Sequence, residues 1–369
     1  MAKKEQVTID LNALVNDQYK HRIDGTDGLK DVVIDFRERG GDNDDLVAAI
    51  NALLKKNDWA YWRLFSDAST ARIVSVITDF SAIEGPIVSS LCSLMRPEVV
   101  ARAISLGAPL DYPSRYEPTL VSAAKVDAND FRRVSDEEIL RRYAASVEIS
   151  RMLIEAGLDL DVSNESGVTP LMAAARCGNC ELVDLLLKAG ADFRRQDASG
   201  LSALHHATLG GLHERSTDFL DDRVLKSIKL LIEAGANPRM KTFIGQTPLH
   251  TLALSSNKTM SLYRAERIVE ALVAAGSDIE SKNREGLTPL LLAVRTGSSH
   301  EAVVPALMLA GADIEAKTMQ GSTITRLGNA EVKRKIKSIL LANKMADAMS
   351  EGESDAPPPS SSPSLHGVL

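Results

Sequence analysis

Aromatic residues and cysteines are scarce in this 369-residue chain. Phe, Trp and Tyr together make up 4% of it, so a folded core must be built from aliphatic side chains and alanine. Three cysteines cannot form a framework of several disulfides, which excludes a small disulfide-stabilised module. A reducing compartment is therefore the expected environment.

Long apolar segments are also lacking. The first ten residues, from Met1 to Asp10, have no apolar core of the kind that a signal peptide needs. No apolar run reaches the roughly 18 residues that are required to span a bilayer. We therefore expect a cytoplasmic protein that has no membrane partner.

The charge balance argues against nucleic acid as a partner. The net charge is −7, whereas contact with phosphates requires a positive field. Hydrophobic residues make up 44% of the chain and charged residues 25%, which is ordinary for folded proteins. We expect a folded chain that binds protein rather than nucleic acid; the composition does not indicate an oligomeric state.

An internal repeat is the strongest pattern in the sequence. Gly-Val-Thr-Pro-Leu begins at Gly167, and related segments begin at Gly200, Gly245 and Gly286, with a weaker copy at Gly321. The first two starts are 33 residues apart. Self-similarity at a fixed period of this length is typical of stacked repeats.

Each unit contains the signals for two short helices. In the unit that begins at Gly167, Thr169 is a good N-cap and Pro170 suits the first helical position. A second apolar segment, from Glu181 to Ala189, ends at Gly190, which can adopt a left-handed conformation. Two such helices cannot bury their apolar faces alone, so they must stack on the next unit.

These residues resemble the ankyrin-repeat family, whose motif is Gly-x-Thr-Pro-Leu-His-x-Ala, and Gly245 to Ala253 match it well. The resemblance covers about residues 84–345 and implies an all-α solenoid. The expected units lie near 84–115, 116–166, 167–199, 200–244, 245–285 and 286–320, with a C-terminal cap at 321–345.

The two ends of the chain do not show the repeat motif. Residues 1–83 contain an amphipathic segment from Asp45 to Lys56 and are expected to form an N-terminal helical cap; a small separate domain is the alternative. Residues 346–369 are rich in Pro, Ser and acidic residues, so they are expected to be a disordered tail.

Three units are longer than the others. Leu171 and Gly190 are 19 residues apart, whereas 37 residues separate the equivalent Leu120 and Gly157. The extra residues fall between the two helices of a unit, and Ser135 is the predicted N-cap of a long second helix. Phe131 and Tyr143 would then belong to a partner-binding ridge. Neutral growth of surface loops explains the insertions equally well.

The loops that join successive units, the finger loops, are rich in basic residues although the whole chain is acidic. Aligned in a column, they would attract an acidic partner surface, with Met and Phe side chains as apolar anchors; an ordinary solvated edge is the alternative. The candidate partner-binding residues here are Arg194, Arg195, Arg239, Met240, Lys241, Phe243, Lys282 and Arg284.

No catalytic or metal-binding pattern emerges. The pair Cys177 and Cys180 lacks the further ligands that a zinc site needs, and His205 and His250 occupy the His position of the repeat, where they are expected to be structural. We find no phosphate-binding loop and no nucleophile motif. The sequence thus predicts no catalytic residues, no metal and no cofactor.

The resemblance implies a non-enzymatic protein that binds a partner protein and blocks, sequesters or recruits it. Binding would use the concave face of the first helices, the finger loops and the inserted ridge. The alternative is an effector that the repeats direct to its target, with a separate activity in residues 1–83. Fold alone does not identify the partner.

Overall fold

The computed structural model describes residues 87–111, 117–126, 135–210, 218–255, 260–296 and 302–328, and also 333–334, 336–338 and 341. The predicted N-terminal segment 1–83 and the tail 346–369 lie outside these residues. Thirteen helices are present in the described part: α1 Ile87–Cys92, α2 Pro97–Ser105, α3 Thr119–Ala124, α4 Asp136–Glu155, α5 Pro170–Cys177, α6 Cys180–Ala189, α7 Ala203–Leu209, α8 Asp218–Glu233, α9 Pro248–Leu254, α10 Leu262–Ala274, α11 Pro289–Thr296, α12 Val303–Leu309 and α13 Ile324–Leu327.

The helices form two layers. The odd-numbered helices, from α1 to α13, each contact the next odd-numbered one, and the even-numbered helices, from α2 to α12, do the same. Successive pairs such as α5 and α6 also contact each other. This arrangement is the expected all-α solenoid, in which each helix pair buries its apolar faces against its neighbours.

Local chemistry explains where the helices begin. The Thr169 hydroxyl accepts a hydrogen bond from the Met172 amide, and Pro170 follows as the first helical residue. At α7 and α9, Ser202 and Thr247 form capping boxes in which the third helical residue is a histidine. Each box satisfies amides that a helix start leaves without partners.

One continuous apolar core runs through the stack, from Val88 in α1 to Ile336 near the described end. Small side chains are common in the first-helix layer; Ala173, Ala174 and Ala175 of α5 are all buried. Alanine lets neighbouring helices approach closely, so this layer packs tightly although its helices have only four to eight residues.

The insertions lengthen the second helices, as predicted for α4. That helix has 20 residues and α8 has 16, against 10 in α6, which has no insertion. The Ser135 hydroxyl caps α4 by accepting a hydrogen bond from the Glu138 amide. The Glu138 carboxylate is bound by Arg141 and Arg142, which hold its pKa down at about 2.

Candidate functional site

Backbone hydrogen bonds link the finger loops to one another. The Ala198 amide donates to the Ser166 carbonyl at 2.9 Å, and the Phe243 amide donates to the Ser199 carbonyl at 3.3 Å. The Arg284 amide continues the series by donating to the Ile244 carbonyl at 3.1 Å. Four consecutive fingers are thereby held in register, so their side chains form one pre-organised surface.

A buried acid stabilises the turn in the second of these fingers. One oxygen of Asp197 accepts the amides of Ser199 and Leu201, and the other lies 2.9 Å from the His206 ring. Burial alone would raise the pKa of Asp197, but the hydrogen bonds from His206 and the two amides hold it below its ordinary value. Asn283 binds two amides in the same way in a later finger.

The basic residues that the sequence predicted lie on this surface, which we call the finger edge. It is defined by six exposed side chains: Arg194, Arg195, Arg239, Lys241, Lys282 and Arg284. Arg194 lies 3.8 Å from the Asp192 carboxylate. Within the described part of the chain, the other five cations form no ion pair with a carboxylate. Arg239 and Lys241 instead donate to the carbonyls of Gly276 and Lys282, in the following finger.

Apolar side chains lie exposed among these cations. Phe243 is 56% exposed and Met319, in the last finger, is 70% exposed, whereas Met240 is half-buried. Ile244 is as exposed as Phe243 and was not among the residues predicted from the sequence. The sequence could have indicated Ile244, because two consecutive large apolar residues are unusual at the tip of a polar loop.

Tyr143, which the sequence predicted as a partner-binding residue of the ridge, is almost completely buried. Its side chain is 2% exposed; the hydroxyl donates to the Cys177 carbonyl, and the Arg223 guanidinium lies 4.6 Å from the ring centroid. Burial raises the pKa of the phenol above its ordinary value. A side chain enclosed in this way stabilises the array and exposes little surface to a partner, although it is among the residues that line the groove beside α4. Phe131, the other predicted ridge residue, lies outside the described residues.

The ridge nevertheless exposes other apolar side chains, at the N-terminal ends of its long helices. Leu140 of α4 and Leu262 of α10 are about two-fifths exposed, and Tyr263 is 62% exposed. Beside α4 lies an open groove of about 510 Å³, with Leu140, Ala144 and Val147 among its lining residues. Arg223 and Glu181 form an ion pair in this groove.

The first-helix layer offers few exposed side chains. Every residue from Thr119 to Ala124 in α3, and from Pro170 to Ala175 in α5, is buried. Exposed side chains in this layer lie at helix ends, such as Arg176 and Arg295. The finger edge therefore presents more accessible charged and apolar side chains than the first helices do.

The histidines of the repeat motif are structural, as predicted. In His205, Nδ1 accepts the Ser202 amide and Nε2 lies 3.1 Å from the Gln246 carbonyl. His250 repeats this pattern with Thr247 and Leu287. Burial lowers the pKa of His205 to about 4 and lowers that of His250 as well. Both rings are thus neutral at pH 7 and bridge adjacent units.

The cysteines and the other ionisable groups do not assemble into a metal site within the described residues. Cys92 and Cys180 are buried thiols, and Cys177 is half-buried, with its sulfur 3.5 Å from the Val126 carbonyl. Burial raises the pKa of Cys92, so its thiol stays protonated and packs as an apolar group. No described helix has the length and hydrophobicity needed to cross a membrane.

The stacked helix pairs, capping boxes and linked fingers define a repeat solenoid, and comparison with known families identifies it. Residues 153–207 match the family described as ankyrin repeats (many copies), and residues 219–318 match ankyrin repeats (3 copies). Residues 153–207 and 219–318 of the chain are therefore ankyrin repeats.

Curated relatives from distant sources share these repeats. The chain is similar to "SH3 and multiple ankyrin repeat domains protein 2" of Homo sapiens, with 29% identity over 42% of this chain and 9% of that protein. It is similar to the ankyrin repeat protein FPV031 of fowlpox virus, with 28% identity over 48% of this chain and 46% of the viral protein. It is also similar to the "B-cell lymphoma 3 protein homolog" of Mus musculus, with 34% identity over 37% of this chain and 26% of that protein. The chain thus spans less than half the length of each of these relatives.

Proposed function

We propose that this chain is a non-enzymatic binding protein that captures an acidic surface of a partner protein through its finger edge. Ankyrin repeats are protein-interaction modules, and the candidate residues here are those of the finger edge together with Met240 and Phe243. Capture by a rigid surface would block, sequester or recruit the partner without any chemical step.

One observation carries this proposal: five of the six finger-edge cations have no carboxylate partner among the described residues, although the chain as a whole has a net charge of −7. Basic side chains whose charge is not neutralised by a neighbouring carboxylate can attract acidic surfaces. Because hydrogen bonds hold the fingers in register, little entropy would be lost when such a surface binds.

The exposed Phe243 and Ile244 supply the apolar contact that charge alone lacks. Aromatic side chains are enriched among the residues that dominate binding energy at protein interfaces, and surrounding polar residues exclude water from them. Lys282 and Arg284 follow in the next finger, whose backbone is bonded to Ile244. The apolar pair thus lies beside cations in the array, as expected of an anchor with a polar rim.

A quantitative pull-down with a matched control tests the proposal. Wild type is compared with Lys282→Glu/Arg284→Glu and with Lys226→Glu/Lys229→Glu, which changes the charge equally on the exposed face of α8. Proteins captured by wild type and by the α8 variant, but lost from the finger variant, are then purified. Their affinity should fall as salt concentration rises, because exposed charges are screened.

Two results would reject the proposal. One is a set of captured proteins that is the same for all three forms of the chain. The other is a purified partner whose affinity is unchanged by the finger substitutions or insensitive to salt. Circular dichroism of the three forms should be identical, since both substituted pairs are exposed.

A further inference from the structure

Five fingers are described completely, and they have the same length, so their equivalent residues can be compared directly. They are residues 157–167, 190–200, 235–245, 276–286 and 311–321, and each begins and ends with a glycine of positive φ. In every one, the side chain of the third residue accepts a hydrogen bond from the amide of the fifth, at 2.8–3.0 Å. The side chains at the fifth position therefore form one column, from finger 1 to finger 5.

The charge of this column changes sign twice along the array. Its residues, in order, are Asp161, Arg194, Arg239, Glu280 and Glu315. Two of the acids bind the next finger: Asp161 accepts the Asp192 amide at 2.9 Å, and Glu280 accepts the Asp313 amide at 2.7 Å. An arginine cannot accept such a bond, so fingers 2 and 3 place two like charges side by side where fingers 1 and 4 have a structural contact.

The other cations of the finger edge extend this pair into a diagonal band. Each finger closes in a turn between its eighth and eleventh residues, as the 2.9 Å bond from the Gly200 amide to the Asp197 carbonyl shows in finger 2. The cations approach this turn from one finger to the next. They occupy positions five and six in finger 2, five and seven in finger 3, and seven and nine in finger 4. The band thus crosses the fingers obliquely from Arg194 to Arg284.

Carboxylates border the band instead of interrupting it. Finger 1 contains three carboxylates and no lysine or arginine, and two of these acids, Asp159 and Glu165, are exposed. Finger 3, at the centre of the band, contains no carboxylate. In finger 4, two acids lie at the third and fifth positions, away from the turn, and the acid near the turn, Glu285, forms an ion pair with Arg295.

We propose that the finger edge binds an extended segment of the partner in one direction only, with acidic residues over fingers 2 to 4 and a basic residue over finger 1. This inference rests on the proposed function and specifies its ligand. A segment in the opposite direction would place its basic residue over Lys282 and Arg284 and an acidic residue over Glu165. Like charges at both ends would disfavour that complex.

The spacing of the fingers sets the spacing of charges in the segment. Packed helices are roughly 8–10 Å apart and an extended chain advances about 3.3 Å per residue, so adjacent fingers should contact residues about three positions apart. An acidic stretch over three fingers should then span about seven residues, with the basic residue about three positions beyond one end. Phe243 and Ile244, in the middle finger, would contact an apolar residue within the stretch.

Selection from a phage library of random peptides, long enough to span four fingers, tests this charge order on the full chain. The wild type should enrich peptides that have clustered acidic residues and a basic residue, always at the same end of the cluster. Arg194→Gln/Arg239→Gln should lose the enrichment of acidic clusters. Lys226→Gln/Lys229→Gln, which removes the same charge from the exposed face of α8, should select the same peptides as the wild type.

Neutralisation of finger 1 separates the basic end from the acidic cluster. Asp159→Asn/Glu165→Gln keeps an acceptor for the amide of the fifth residue, as Asn237 does in finger 3. This variant should enrich acidic clusters without a preferred basic residue. Replacing the basic residue of the most enriched wild-type peptide by glutamine should weaken its binding to the wild type about two- to fivefold and leave its binding to this variant unchanged. Fluorescence polarisation measures both affinities.

Three results would overturn the proposal, and only the last would also reject the proposed function. The first is a set of acidic clusters with the basic residue at either end, or with none. The second is selection of the same peptides by Arg194→Gln/Arg239→Gln and by the wild type, which would place the contact outside the band. The third is the absence of acidic clusters among the peptides that the wild type enriches.

Discussion

The phenol of Tyr143, on α4, donates a 2.6 Å hydrogen bond to the Cys177 carbonyl at the end of α5. In return, the Asn179 side chain donates to the Tyr143 carbonyl at 3.3 Å. Arg223, from α8, covers the ring. One side chain thus joins three successive repeat units, and its hydroxyl bonds a carbonyl at the end of α5, where a helix leaves its last carbonyls without intrahelical partners.

Removal of this hydroxyl should destabilise the array. Tyr143→Phe keeps the ring under Arg223 but removes the hydrogen bond to the Cys177 carbonyl, which should lower the free energy of unfolding by about 1 kcal/mol. Urea denaturation followed by circular dichroism measures the change. Tyr263→Phe is the control, because Tyr263 is 62% exposed and, among the described residues, its hydroxyl contacts the Arg267 side chain alone. The control should change stability by less than about 0.5 kcal/mol. Equal effects of the two substitutions would contradict this interpretation of Tyr143.

Because the fingers are stacked, substitution by alanine should cost different amounts of stability at two glycines that have similar backbone angles. Gly200 has φ +79° and Gly321 has φ +73°. A Cβ at Gly200 would lie 2.7 Å from the Phe243 amide nitrogen, whereas a Cβ at Gly321 would meet nothing within 4 Å. Both alanine variants should lose about 1 kcal/mol to the left-handed conformation, and Gly200→Ala should lose a further 1–3 kcal/mol, roughly, to the clash.

Thermal and urea unfolding of the two alanine variants compares these costs. Amide hydrogen exchange measures the local effect. Gly200→Ala should accelerate exchange of the Phe243 amide, because its acceptor, the Ser199 carbonyl, lies next to Gly200 in the same finger. Similar losses of stability in the two variants would show that finger contacts do not constrain Gly200.

Much of the fold could be predicted because its signals are local. Thr169, Pro170 and Gly190 specify the ends of helices through their own backbone and side-chain chemistry, and all three behave as predicted. The predicted helix from Asp136 also forms, and it ends at Glu155. Such signals need only a few neighbouring residues, so they can be recognised in a single sequence.

The environment of Tyr143 could not be predicted in this way. Its burial depends on Cys177 and Arg223, which are 34 and 80 positions away in the chain and come close only when the units stack. An aromatic residue near an insertion has the same sequence signature whether it is exposed or enclosed. The fingers show the same limit, because the bond between Arg284 and Ile244 joins different units.

The cap of the longest helix offers a local test of the insertion. Ser135→Ala removes the oxygen that accepts the Glu138 amide and should destabilise α4 by about 1 kcal/mol. Ser135→Asn supplies a new acceptor and should restore most of this loss. Hydrogen exchange of the first turn of α4 should be faster in the alanine variant alone. If both variants behave like the wild type, the hydroxyl does not stabilise the helix.

Acid should destabilise the array before its carboxylates titrate, because two buried histidines must stay neutral. The pKa of His205 is about 4 in the folded chain, against 6.5 for an ordinary histidine. Between these values the unfolded chain binds more protons, so the free energy of unfolding falls as the pH falls from about 6.5. At pH 5 the loss due to His205 should reach about 2 kcal/mol, and His250 should act in the same direction.

Glutamine replacements separate these histidine contributions. Glutamine is a standard residue at the third position of a capping box, so His205→Gln keeps an acceptor for the Ser202 amide but does not titrate. The pH dependence of unfolding between pH 7 and 5 should become shallower in His205→Gln and shallower still in His205→Gln/His250→Gln. A slope that is the same in the wild type and both variants would mean that protonation of these rings is not coupled to folding. A steeper slope in the variants would reverse the sign that burial of a neutral ring requires.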